Sequence, residues 1–424
     1  MKGPIIMANK NLTNARKAKN DEFYTQWSDI EKEVNAYLEF DENVFRDKTI
    51  LLPADDPFES NFFKFFATHF NDYGLKKLIA TSYDPSPIVN TELLLSLFDD
   101  EKSELEQGHT QKINRAYKIE LTDVSDFDNN GRINIQDVEA KLLAEKEKID
   151  KGHSSEILAY LQGDPVDSVE EPYSAGDFRS KEVTTLKNES DLIITNPPFS
   201  LFREFLAWVN PLEKQLLVLG GKNSITYKEV FPLIRANNLW TGVTGFNQDL
   251  LFIAPEGSDL SKKPKTSIRE VNGITYLRSP AIWFTNLDHG RRHQPLALMT
   301  MEDNVKYSKH KQVQGHAYNK YDNYNAIEVP FTDSIPRDFP GVMGVPISFL
   351  DKYSPEQFEI LGTSDNGQID SIYKTTNGLT KKFVDDYYAA GGKGSYKEGN
   401  PTAGLYLNGV ATMIYKRIFI RRIK

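Results

Sequence analysis

The chain has 424 residues, long enough to bury a large core and to form two domains. It contains no cysteine, which excludes disulfides, thiolate nucleophiles and cysteine-based zinc sites. The formal charge of −9 at pH 7 excludes wholesale coating of nucleic acid but leaves room for a local basic cleft. The seven histidines show no HxxxH-like ligand spacing. No apolar run approaches the about 20 residues a membrane span needs. The opening "MKGPIIMANKNLTNARKAKN" lacks the apolar stretch of a secretory signal, so we expect a cytoplasmic protein with no membrane partner.

In chain order, residues 1–20 read as a mobile basic arm. Ile30, Val34, Tyr37 and Leu38 recur at helical spacing, predicting a helix capped by Ser28 or Asp29. Thr49 to Leu52 form a short buried strand that ends in the polar turn "PADDP". "SNFFKFFATHF" follows as an apolar helix capped by Ser60 or Asn61, and "LKKLIATSYDP" is a second strand. The charged segment from about residue 85 to 176 reads as an insertion or lid. It holds a long helix, "QDVEAKLLAEKEKI", preceded by the strand-like "AYKIELTDV". The core resumes with strand "DLIIT", helix "SLFREFLAWV" and strand "KQLLVLGG". Helix "TYKEVFPLIRANN", strand-like "LWTGVTGF" and "AIWFTNL" complete it.

Strands alternating with helices predict an α/β fold, a Rossmann-like core with a mostly parallel sheet. The expected division is a core over residues 21–298 and a C-terminal elaboration over 299–424. In such sheets ligands bind at the carboxyl ends of strands. Two polar tips stand there, "PADDP" and "TNPPF".

The second tip carries chemistry. Prolines cannot continue a ladder, so the strand stops abruptly at Asn196-Pro197-Pro198-Phe199. The exocyclic amine of a base is a poor nucleophile, because its lone pair is delocalised into the ring. The Asn196 side-chain oxygen and the Pro197 carbonyl are acceptors for its two N–H groups, held in fixed direction by the prolines. Phe199 offers a face on which a base outside its helix can stack. The matching electrophile is a methyl sulfonium, and positioning is the main contribution to rate. A plain Pro-Pro turn with a core Phe is the structural alternative.

"DFDNNGRINIQD" fits the calcium-loop template. Asp126, Asp128 and Asn130 stand at positions one, three and five, with Gly131 at six. Arg132 offers its carbonyl at seven, and Asp137 replaces the usual Glu at twelve. We read it as a candidate structural calcium site, against the alternative of an Asx-rich turn.

"DEFYTQWSDIEKEV", "DDPFESNFFKFFA", "GLKKLIA", "GDFRS", "TNPPFSLFREFL", "NSITYKEVFPLI", "KYDNYNAIEV" and "GVMGVPISFL" occur in this order. Together they resemble the EcoRI-type adenine-specific DNA methyltransferases from about Asp21 to the C-terminal region. The resemblance implies a class I fold, S-adenosylmethionine as cofactor and N6-methyladenine in DNA as product. It implies that Asn196 to Phe199 form the target-amine site. It assigns Phe23, Tyr24 and Thr25 to the methionine end of the cofactor, and Asp55, Asp56 and Pro57 to the cofactor turn. Asp177 and Phe178 match an acidic-aromatic pair near the cofactor adenine. The turn "LLPADDPFE" departs from the wider methyltransferase pattern, having no glycine.

A duplex-DNA partner needs phosphate contacts. The candidates are Arg291 and Arg292, then Lys306, Lys309 and Lys311, then the terminal "YKRIFIRRIK", with five basic residues and no acid in ten. A cognate restriction endonuclease is a possible partner. Three alternatives stay open at this point: transfer to N4 of cytosine, transfer to an RNA base or protein glutamine, and an inactive DNA-binding relative.

Overall fold

The computed structural model describes residues 24–83, 116–127, 130–165, 172–254, 260–261, 263–364 and 378–423. The chain divides into two compact units. One is Met1–Gly221 with Asp249–Leu287, the other Lys222–Gln248 with Asp288–Lys424. The second unit thus takes in residues 222–248 as well as the C-terminal region.

Among the described residues of the first unit, seven strands share one sheet. They are β1 (Thr49–Leu52), β2 (Lys77–Thr81), β3 (Tyr117–Leu121), β4 (Leu158–Tyr160), β5 (Leu192–Thr195), β6 (Gln215–Gly221) and β7 (Ala281–Thr285), in the order β4-β3-β2-β1-β5-β6-β7. β2, β1, β5 and β6 run parallel. β3 and β7 are antiparallel to their inner neighbours. The parallel strands read TILL, LIAT, LIIT and LLVL, buried on both faces, as a sheet covered on both sides requires. β3 instead alternates buried and half-buried positions. The segment expected as a lid therefore adds two strands, β3 and β4, to this same sheet.

Helices α1 (Trp27–Phe40), α2 (Asn61–Thr68), α3 (Ile135–Asp150), α4 (Lys181–Glu189) and α5 (Phe202–Val209) belong to this unit. α5 buries Phe202, Phe205, Leu206 and Val209, an i, i+3, i+4, i+7 stripe, and stops at Asn210 in left-handed conformation. A smaller antiparallel sheet pairs Tyr24–Thr25 with Leu250–Ile253, and that strand with the hairpin Ile268–Val271/Ile274–Ser279. Asn272 and Gly273 turn the hairpin at φ +52° and +79°, the two-residue turn that matches strand twist.

The second unit has its own four-stranded sheet, in the order Ala326–Glu328, Val342–Pro346, Arg417–Arg422, Phe358–Thr363. Tyr321, Leu361 and Phe419 anchor its core. A buried pair crosses it: Arg417 Nη2 donates to Glu328 Oε1 at 2.6 Å, and the Tyr321 hydroxyl also bonds Glu328. Among the described residues no helix is long and apolar enough to cross a membrane.

Candidate active site

The strand order of the first unit reverses at β1. The chain runs outward to β2, then returns to place β5 on β1's other side. Such a switch point opens a crevice at the carboxyl ends of the strands. The register of β1 and β5 is fixed at both ends. At the start, Thr49 N donates to Asp191 Oδ2 and Asp191 N to Thr49 O, both at 2.8 Å. At the finish, Thr195 Oγ1 donates to Pro53 O at 3.1 Å. The two polar tips therefore emerge side by side.

On the β1 tip, Ala54 stands at φ +60°, and its N–H donates to Thr81 Oγ1 at 3.0 Å. The turn lacks glycine, yet its alanine takes the left-handed conformation glycine would supply, at a cost of about 1 kcal/mol. Asp55 and Asp56 follow, both buried. Asp55 Oδ1 accepts the Ser60 hydroxyl at 2.8 Å, while Ser60 Oγ also caps α2 by accepting from Phe62 N and Phe63 N. Asp56 Oδ1 accepts the Tyr117 hydroxyl at 2.8 Å and Phe58 N at 3.0 Å. In each carboxylate Oδ2 is buried with no hydrogen-bond partner among the described residues.

Burial pushes Asp55 up to about 7, opposed by the neighbouring Thr195 and Ser60 hydroxyls, with Asp56 adding to the rise. Burial likewise pushes Asp56 up to about 6, opposed by Tyr117 and the Phe58 N–H. Tyr117 is raised well above its ordinary value by burial and by Asp56. Thr25 lies nearby: its carbonyl accepts Asn61 Nδ2 at 2.7 Å, and its own buried Oγ1 has no partner among the described residues. Orphaned buried oxygens at a switch point fit a ligand rich in donors. S-adenosylmethionine offers an ammonium, ribose hydroxyls and an exocyclic amine, so the residues present fit it. Tyr24 contributes a strand residue paired with Ile253. Phe23 lies outside the described residues.

On the β5 tip, Pro197 is buried, while Asn196, Pro198 and Phe199 are half-buried. Pro198 O accepts Leu201 N at 2.9 Å, starting a turn of 3-10 helix at Phe199 that leads into α5. Phe199 rests against the main core with part of its ring exposed.

Gly176, at φ +78°, brings the "GDF" segment against β2's end, where a Cβ would stand 1.9 Å from Ser82 O. Asp177 is thus beside the tips, but Arg179 holds its carboxylate through Nε at 2.9 Å and Nη2 at 2.8 Å. Phe178 is buried edge-on to Phe205 and Trp208, inside the core. The sequence reading passed over Thr195 and Tyr117 as site residues. Both act across strands, and only spatial adjacency reveals that.

The calcium reading is not supported. Asp126 accepts Asn130 N and Gly131 N, and Asn130 accepts Arg132 N. Asp137 accepts Phe127 N and Asn134 N, completing a capping box with Asn134 at the start of α3. The carboxylates serve a helix start. Asp128 lies outside the described residues, and no group of three or more His, Cys, Asp or Glu among the described residues could hold a metal.

In the second unit, Arg292 is buried. Its guanidinium lies 3.5 Å over the Trp240 ring and bonds Asp288 at 2.9 Å and Asn237 at 2.6 Å. Arg291 donates to Val243 O. Arg292 is thus engaged inside the unit, while Arg291 is half-buried with its bond to a backbone carbonyl. Lys306 lies 5.0 Å from the Tyr307 ring centre. Lys309 is paired with Asp333 at 2.8 Å, and Lys311 is exposed.

Residues 11–423 match the family described as adenine-specific methyltransferase EcoRI. The chain is 38% identical to the type II methyltransferase M.EcoRI of Escherichia coli over 355 residues, covering 83% of this chain and 89% of that one. It is 30% identical to the type II methyltransferase M.MpnI of Mycoplasma pneumoniae over 386 residues, covering 91% and 95%. No solved structure matches the chain.

Proposed function

This chain belongs to the EcoRI family of adenine-specific methyltransferases, and on that premise we propose that it methylates N6 of an adenine extruded from duplex DNA at a specific site. The observation that carries the reading is the adjacency of the two tips, pinned by Thr195 on Pro53. When bound, S-adenosylmethionine supplies an electrophilic methyl carbon on a sulfonium, and transfer exchanges a C–S bond for a C–N bond. Asp55 and Asp56 offer their orphaned Oδ2 atoms to its donors, with Pro57 closing the turn. On the family resemblance, Phe23, Tyr24 and Thr25 bind its methionine end. Asp177 and Phe178 border the adenine end through backbone, since both side chains are engaged.

On the other tip, the Asn196 side-chain oxygen and the Pro197 carbonyl accept the two N–H groups of the target amine. That draws the nitrogen lone pair out of conjugation. Pro198 fixes the direction of the carbonyl, and Phe199 stacks on the base. Held acceptors cost no reorganisation when charge develops on the nitrogen. A cytoplasmic location and a companion endonuclease that reads the same site belong to this proposal. In its support, the relatives are named type II methyltransferases.

The test is transfer of labelled methyl from S-adenosylmethionine to duplex DNA, RNA and protein, followed by sequencing for modified bases. We expect N6-methyladenine in duplex DNA alone. Asn196→Ala should slow the transfer by about 10² to 10³, the effect of removing one preorganised hydrogen-bonding group. Label in RNA or protein, methylcytosine as product, or full activity in Asn196→Ala would each overturn the assignment.

A further inference from the structure

At the end of the second unit's sheet, a cavity of about 640 Å³ has Arg337, Asp338, Phe339, Glu359, Arg421 and Arg422 in its lining. Its size falls within the range of sites that hold small ligands or parts of larger ones. The strand Arg417–Arg422 lies between Val342–Pro346 and Phe358–Thr363, so its last residues leave the sheet at this groove.

The charges are unequally spent. Glu359 pairs with Arg421, and Asp338 Oδ1 accepts Met301 N at 2.7 Å, at the start of helix Met301–Tyr307. Arg337 is exposed, and no carboxylate among the described residues pairs with it or with Arg422. Arg422 Nε is buried and has no hydrogen-bond partner among the described residues. An orphaned buried guanidinium donor is costly unless something from outside accepts from it. Phe339 presents an aromatic ring beside these donors, half-buried.

Two planar guanidinium groups unmatched by acids are suited to phosphate oxygens, which accept their N–H groups in pairs. From these residues we infer that the groove takes a backbone phosphate of duplex DNA, with Arg337 and Arg422 as its donors. The inference rests on the reading of the chain as a DNA enzyme. It places a phosphate contact at the sheet end, apart from Arg292, whose guanidinium is buried and paired with Asp288.

The test is the salt dependence of binding to a fluorescent duplex, for wild type, Arg337→Glu and Arg422→Ala, using both a methylatable and an unrelated sequence. Arg337 is exposed, so its replacement leaves the fold intact; a thermal melt checks Arg422→Ala. The slope of log K against log salt should fall by about 1 for each arginine removed, with similar loss on both sequences. An unchanged slope in Arg337→Glu, with wild-type binding intact, would sink the groove assignment alone. Loss confined to one sequence at unchanged slope would make these residues base readers and overturn the phosphate role. If inorganic phosphate stabilises the wild type but not Arg337→Glu, while duplex affinity is equal, the groove is a small-anion site. Failure of the wild type to bind any duplex would instead bring down the parent reading.

Discussion

Asp55 carries a large electrostatic cost in the candidate active site. Folded, it keeps its proton up to about pH 7, whereas its ordinary value is 3.8. Between those values the folded chain binds more protons than the unfolded one, so stability falls as pH rises. The fall is about 1.4 kcal/mol per pH unit and ends above about pH 7. Asp56 adds the same slope up to about pH 6. Asp55→Asn removes the ionisation but keeps the shape. In urea melts without cofactor, from about pH 5 to about pH 8, the variant should gain on the wild type until pH passes about 7, then hold a constant lead. A difference that does not depend on pH would mean that the carboxylate is ordinary. Cofactor donors on the orphaned Oδ2 atoms favour the charged form, so ligand should flatten the wild-type slope.

Helix α2 begins where the cofactor turn ends, and Ser60 joins them. Its Oγ caps two backbone N–H groups and donates to Asp55. Ser60→Ala should therefore cost about 1 kcal/mol of stability in denaturant melts, the usual loss of a cap, and should also weaken cofactor binding measured by calorimetry. Weakened stability with unchanged cofactor affinity would show that the cap alone matters. The parallel elements were legible because their strands are continuous apolar runs, buried on both faces. The edge strands were less so. The alternation of β3 marks a strand but does not name its partner, which comes from 37 to 43 residues earlier in the chain, as in the Thr81–Lys118 and Leu78–Leu121 pairs. The Asn272–Gly273 hairpin carried a clear turn signal that the reading of strand–helix alternation passed over. Asp126 to Asp137 shows the converse. A calcium loop and an Asx-rich helix start ask for the same residues, and only the placing of the carboxylates separates them. Arg292 is a phosphate candidate by its charge alone; the acid, amide and indole that absorb it are distant or ambiguous in sequence.

The candidate cofactor residues lie in the first unit, and its tryptophans can report on a ligand there. Of the four tryptophans, Trp27, Trp208 and Trp283 belong to the first unit and Trp240 to the second. In a Trp240→Phe variant, tryptophan fluorescence follows the first unit alone. S-adenosylmethionine at about 100 times its dissociation constant should stabilise that unit by about 2.7 kcal/mol and move its urea midpoint upward. No shift at saturation would argue that the donor-hungry pocket belongs to some other ligand. The pinning of β1 to β5 has a further meaning for such an enzyme. On the proposed reading, methyl donor and acceptor hang from neighbouring strands, so the sheet acts as a ruler between them. Sliding one strand by a single residue would shift its tip by about 3.3 Å, while a misplacement of about 1 Å already costs roughly a hundredfold in rate. Asp191 at one end and Thr195 at the other thus set a mechanical tolerance. Reaction distance here is a property of strand register before it is a property of any side chain in the pocket.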